Sequence, residues 1–105
     1  MKQLKPEEFK QWMDSRKEFQ ILDVREKWEY DLVRFDKSVL RPLSFLSMNP
    51  PDLDKHKPVM VYCHHGVRSL RGCAILESLG FTEVYNLAGG IDLYASTIDP
   101  SMATY

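Results

Sequence analysis

Two things are scarce in this chain of 105 residues: cysteine, and charge of a single sign. There are 2 cysteines, ten positions apart, with one inside a helical pattern. They make a poor disulfide pair and fit a reducing compartment. The formal net charge of −1 gives no global attraction to nucleic acid or to an anionic membrane, so any anion has to be recognised locally. No stretch approaches the roughly 20 apolar residues of a membrane span, and no basic segment followed by an apolar one opens the sequence. A cytoplasmic location is therefore the expectation. Repeats, low-complexity tracts and linkers are absent too, and the length allows one domain over residues 1–105. Hydrophobic residues make up 44% and charged ones 28%, a balance that excludes a disordered chain.

What is present centres on Pro58–Gly80. The apolar run Val59-Met60-Val61-Tyr62 suits a buried strand, Cys63-His64-His65-Gly66-Val67-Arg68 a polar loop, and Ser69 through Leu79 a helix with Ser69 as its N-cap and Gly80 as its stop. This puts a thiol at the carboxyl end of a strand, where open α/β sheets bind ligands and a helix N-terminus favours negative charge. Cys63 is then expected to react as a thiolate, favoured by the helix and by the cation of Arg68. Its loop is too polar to be core. Cys73, in Gly72-Cys73-Ala74-Ile75-Leu76, reads as buried packing. His64 and His65 invite a metal reading, yet adjacent histidines diverge and no third ligand stands at a convincing spacing, so no metal site is expected. Either imidazole can add charge near its ordinary pKa of about 6.5.

The rest of the chain supplies a scaffold. Lys5–Lys17 reads as a helix with Phe9, Trp12 and Met13 on its buried stripe. Phe19–Leu22 is a short strand ending in Asp23-Val24-Arg25. Lys27–Leu32 is a short helix with Trp28 and Leu32 inward. Leu43–Met48 forms a helical turn or two, stopped by Asn49-Pro50-Pro51, and His56 lies exposed among charges. Glu83–Leu87 is the last strand. Ala88-Gly89-Gly90 turns into a helix through Ile91–Ile98, and residues 103–105 form a tail lying back along the domain. This alternation predicts a small α/β domain with a mainly parallel sheet of four or five strands and helices on both faces.

Cys63-His64-His65-Gly66-Val67-Arg68-Ser69 resembles the active-site loop of the rhodanese-like sulfurtransferases. Leu22-Asp23-Val24-Arg25-Glu26 and Asn86-Leu87-Ala88-Gly89-Gly90-Ile91 resemble two further motifs of that family, in the same order. The resemblance implies a single rhodanese-like domain of thiosulfate sulfurtransferase type, in which Cys63 carries a sulfane sulfur as a persulfide. His64, His65, Gly66, Val67, Arg68 and Ser69 would bind the substrate, with Arg71 extending the basic rim, while Asp23 and Arg25 would brace the loop. It implies no cofactor, a small anionic donor such as thiosulfate, and a cyanide, thiol or protein acceptor. The segment Val33–Leu43 departs from the family's glycine- and histidine-containing turn. Its Arg34, Lys37 and Arg41 read as a solvated face, and Tyr94 stands where the family usually has tryptophan. Two rivals remain: a non-catalytic or sulfur-carrying binding module, and a phosphatase or arsenate reductase on the same fold, whose loops have five rather than four residues between cysteine and arginine.

Overall fold

Strands and helices alternate along the chain, and the structure, a computed structural model, describes residues 1–15 and 18–105. In order they are β1 (Lys2–Leu4), α1 (Pro6–Asp14), β2 (Gln20–Asp23), α2 (Lys27–Leu32), β3 (Val39–Leu40), α3 (Leu43–Leu46), β4 (Val59–Tyr62), α4 (Arg68–Ser78), β5 (Val84–Leu87) and α5 (Gly90–Thr97). The five strands pair in the order β1-β5-β4-β2-β3, all parallel. The expected α/β architecture is present, and its five strands fall within the four or five expected; the sequence pattern located β2, β4 and β5 but not β1 or β3. Those two are the sheet edges, three and two residues long, too short for a period-2 signal.

The pleat of β4 divides the core. Val59, Val61 and Cys63 belong to a cluster with Leu22, Val24, Leu46, Cys73 and Leu76, the face covered by α3 and α4. Met60 and Tyr62 point the other way, into a cluster with Phe9, Phe35, Ile91 and Tyr94 under α1 and α5. Both faces of a parallel sheet are thus covered, as its unbroken apolar strands require. Tyr94, 4% exposed, fills an aromatic core position, edge-on to Phe9 and Phe35.

Three expectations about the helices need correction. The first helix ends at Asp14, not Lys17, which lies outside the described residues; Met13 is 37% exposed rather than inward, since the helix stops before another turn can cover it. In α2 the buried residue is Glu29, at 3% exposure, while Trp28 is 61% and Leu32 48% exposed. The helix is turned so that a carboxylate faces inward because a cation waits there. Ser69 does not cap α4, which begins one residue earlier with Val67 at the cap position.

Candidate active site

From β2 the chain moves to β3 on one side, and from β4 to β5 on the other. The carboxyl ends of β2 and β4 therefore flank a topological switch point, where this class of sheet opens a crevice. Asp23 and Tyr62 end the two strands in register, and Cys63 is the next residue. Its chain then bends back over its own sulfur. The Gly66 N–H donates to Cys63 Sγ at 3.1 Å and the Ser69 N–H at 3.4 Å, with Ser69 Oγ at 3.3 Å. Ser69 is the second residue of α4, and its N–H is among those a helix cannot satisfy internally. The cysteine sulfur takes the place of a capping oxygen, which is why α4 needs no N-cap side chain.

Cys63 is only 1% exposed, which corrects the expectation that its loop keeps it out of the core. One side of the residue packs into the apolar cluster; the other meets main-chain donors. Cys73, fully buried, has no such surroundings: burial pushes its thiol up to about 12, and Glu77 adds to the shift.

Hydrogen bonds fix the loop from β5. Buried Asn86 donates through Nδ2 to Gly66 O at 3.2 Å and to Gln3 Oε1 at 2.9 Å, leaving Oδ1 to accept from Ser69 Oγ. With that proton given to Asn86, the Ser69 hydroxyl faces the sulfur as an acceptor for a thiol S–H. Two glycines make the approach possible. Gly66 has φ +89°, and a Cβ there would meet Gly89 N at 3.0 Å. A Cβ on Gly90, at φ +65°, would lie 2.3 Å from His64 O, so α5 packs directly beneath the loop, donating Ile91 N to Cys63 O and Asp92 N to His64 O.

A second network lies beside the first. Asp23 and Arg25 are both fully buried. Arg25 donates Nε to Asp23 Oδ1 at 2.9 Å, Nη2 to Asp23 Oδ2 at 2.7 Å and Nη2 to Val33 O at 2.6 Å, while Tyr62 donates to Asp23 Oδ2 at 2.8 Å. Burial and the Asp23 charge hold the Tyr62 phenol above its ordinary value. Arg68 is clamped by Glu29 through two bonds of 2.8 Å, and its side chain is 40% exposed. Burial alone would raise the Glu29 carboxyl, but hydrogen bonds from Arg68 and Tyr105 bring it down to about 2. The tail does lie back on the domain: Tyr105 donates to Glu29, accepts from Arg25 Nη1 at 3.0 Å, and stacks on His64 with ring centroids 3.9 Å apart.

The family model described as the Rhodanese-like domain matches residues 5–97. The chain belongs to the rhodanese-like family. This rhodanese-like domain is 33% identical over 79 residues to the thiosulfate sulfurtransferase GlpE of Coxiella burnetii, covering 75% of this chain and 74% of that protein. It is 32% identical over 102 residues to the probable adenylyltransferase/sulfurtransferase MoeZ of Mycobacterium tuberculosis, covering 95% of this chain but only 26% of that protein. The chain thus spans about a quarter of the length of that relative. Among solved structures, the rhodanese-like domain protein of Staphylococcus aureus superposes with a TM-score of 0.84 at 26% identity, covering 100% of this chain and 99% of the other.

The functional surroundings of this rhodanese-like domain include residues that sequence reasoning passed over. Glu29 was hidden among helix-surface acids, although Glu26 and Glu29 form a capping box that could have drawn attention to it. Asn86 stands in a recognised motif without an assigned role, and Asp92 is an acid in the first turn of α5 that no sequence motif singles out. Of the basic segment, Arg34 and Lys37 are exposed; Arg34 covers the Tyr30 ring at 4.3 Å and Arg41 bonds to Asn49 O. Arg71 is exposed beside Arg68, along a cavity of about 410 Å³ that also touches Val24, Glu26 and Leu43. Among the described residues, no helix is long and apolar enough to cross a membrane.

Proposed function

We propose that this domain is a sulfurtransferase of thiosulfate type, with Cys63 carrying the transferred sulfur. The observation that supports it best is the convergence of the Gly66 and Ser69 N–H groups on Cys63 Sγ. In the first half-reaction the Cys63 thiolate attacks the outer sulfur of thiosulfate. The donor's S–S bond breaks and sulfite leaves with the electron pair, giving a Cys63 persulfide whose terminal sulfur is anionic. Main-chain N–H groups of residues 64–69 and the positive end of α4 stabilise that charge in a site shielded from water. Arg68, held by Glu29 with its side chain partly open to solvent, attracts the anionic donor. In the second half-reaction cyanide, or a cellular or protein thiol, attacks the terminal sulfur and the Cys63 thiolate departs. No cofactor takes part.

His64, His65 and Val67 line the entrance in this reading, and Asp23 and Arg25 act as positioning residues through Tyr62, the neighbour of Cys63. The loop has four residues between Cys63 and Arg68, and Arg68 is turned to Glu29, leaving a narrow ring of donors suited to one sulfur atom rather than a phosphate. The test is thiocyanate formation from thiosulfate and cyanide, with chromogenic aryl phosphate as a parallel substrate. Turnover lost in Cys63→Ser and no phosphatase activity is the expected result. Cys63-dependent phosphatase turnover would overturn it, and so would a wild-type protein no more active than the variant.

A further inference from the structure

We propose that His64, His65 and Asp92 form a binding site for a divalent transition ion of the zinc class, on the rim of the Cys63 loop. Adjacent histidines were expected to diverge. Instead the two imidazoles stack with centroids 4.0 Å apart and an interplanar angle of 27°, and both direct Nε2 toward one carboxylate. His64 Nε2 lies 3.7 Å from Asp92 Oδ1, and His65 Nε2 lies 3.5 Å from Asp92 Oδ2. One ligand atom from each residue falls within 4.8 Å of the others.

These gaps are too long for hydrogen bonds. The His65–Asp92 gap falls within the edge of a zinc coordination tetrahedron, about 3.3–3.6 Å for metal–ligand bonds of roughly 2.0–2.2 Å, and the His64–Asp92 gap of 3.7 Å, to the other carboxylate oxygen, lies just beyond it, so the three groups need to draw in only slightly around an ion. His64 Nε2 is also buried without a hydrogen-bond partner, which is costly unless some ligand uses its lone pair or proton. The site is held in place by the fold. The Asp92 N–H bonds to His64 O at 3.1 Å, and the bare Cα of Gly90 lets α5 approach close enough to make that bond. Tyr105 stacks on the outer face of His64, so the ring is sandwiched and its orientation fixed. His65 and Asp92 keep 64% and 42% of their side-chain surface exposed, which gives an ion a way in and leaves a fourth position for water or a small anion. Two imidazoles and a carboxylate suit zinc better than magnesium or calcium, which prefer all-oxygen shells.

This site stands whether or not sulfur moves through Cys63. It is tested by titrating Zn²⁺ into the Cys63→Ser protein by calorimetry, which removes the reactive thiolate as a competing ligand. The expected result is one Zn²⁺ per chain, with affinity weakened more than about tenfold in Cys63→Ser carrying either Asp92→Asn or His65→Ala. His65 is exposed, so its substitution leaves the fold intact, and matching thermal melts establish that. Co²⁺ in place of Zn²⁺ should give ligand-field bands without thiolate charge transfer, in both wild type and Cys63→Ser. Zinc binding that disappears in Cys63→Ser, or that ignores both rim substitutions, would overturn the proposal.

Discussion

Cys63 and Cys73 are both almost completely buried and belong to the same apolar cluster, yet their sulfurs meet opposite surroundings. Cys63 Sγ receives two main-chain N–H groups and faces a serine hydroxyl. Cys73 Sγ has a weak contact of 3.7 Å to Tyr85 O, and its thiol is pushed up to about 12. Burial by itself therefore says little about cysteine chemistry; the direction of the nearest dipoles decides it. The difference follows from one structural choice. Cys63 lies where a strand hands over to a helix and unsatisfied donors are plentiful, whereas Cys73 lies inside the helix, where every neighbouring N–H is already spent.

The largest expected effect separates the two thiols outright. Thiocyanate formation should fall to background in Cys63→Ser, while Cys73→Ala should keep turnover within about twofold and lose about 1 kcal/mol of stability for its small cavity. Comparable losses of turnover in both would break the contrast. Next come the glycines that flank each site. Gly90→Ala forces a Cβ against the His64 carbonyl at positive φ and should cost about 3 kcal/mol or more in urea unfolding. Ser69→Ala leaves Asn86 Oδ1 without its donor and should cost about 1–3 kcal/mol in urea unfolding.

A pH series sharpens the same division. Hydrogen bonds from Arg68 and Tyr105 hold the Glu29 carboxyl down at about 2, below the ordinary glutamate value of about 4.5. A depressed carboxyl stabilises the fold above its unfolded value, and that contribution is lost as pH falls from about 4.5 toward 2. The stability gap between wild type and Glu29→Gln, read from urea midpoints, should thus be full at pH 6 and shrink steadily below about 4.5. A gap that stays constant would mean that Arg68 does not hold this carboxylate in solution. The smallest effect belongs to the helix that carries Cys73. In Gly72→Ala the new Cβ meets only side-chain methyl groups, of Val24 at 3.2 Å and Val61 at 3.3 Å. Helix propensity offsets the crowding, and stability should change by no more than about 1 kcal/mol.

The fold was legible because its strands are continuous apolar runs and its turns carry glycine and proline at their ends. Pro58–Gly80 could be read as strand, loop and helix from local pattern alone. The partners of the loop could not, because they come from distant positions: Glu29 is 39 residues from Arg68, and Tyr105 is 76 from Glu29. A buried carboxylate on a short helix looks in sequence like a solvated one until its cation is placed. Trp28 was expected inward on hydrophobicity, but the Glu29–Arg68 pair sets the rotation of α2 and turns Trp28 out to meet Tyr105 edge-on. The divergence expected of His64 and His65 fails for a related reason, since their rings stack. Divergence of neighbouring side chains holds for a strand, and residues 64–67 are a bent loop that brings both rings to one side.

The decisive experiment is intact mass after incubation with thiosulfate, followed by cyanide. An amide-cradled Cys63 should gain about 32 Da, one sulfur, lose it on addition of cyanide, and show no gain in Cys63→Ser. A wild-type mass that never moves, or an added sulfur that survives in Cys63→Ser, would contradict a persulfide on this cysteine.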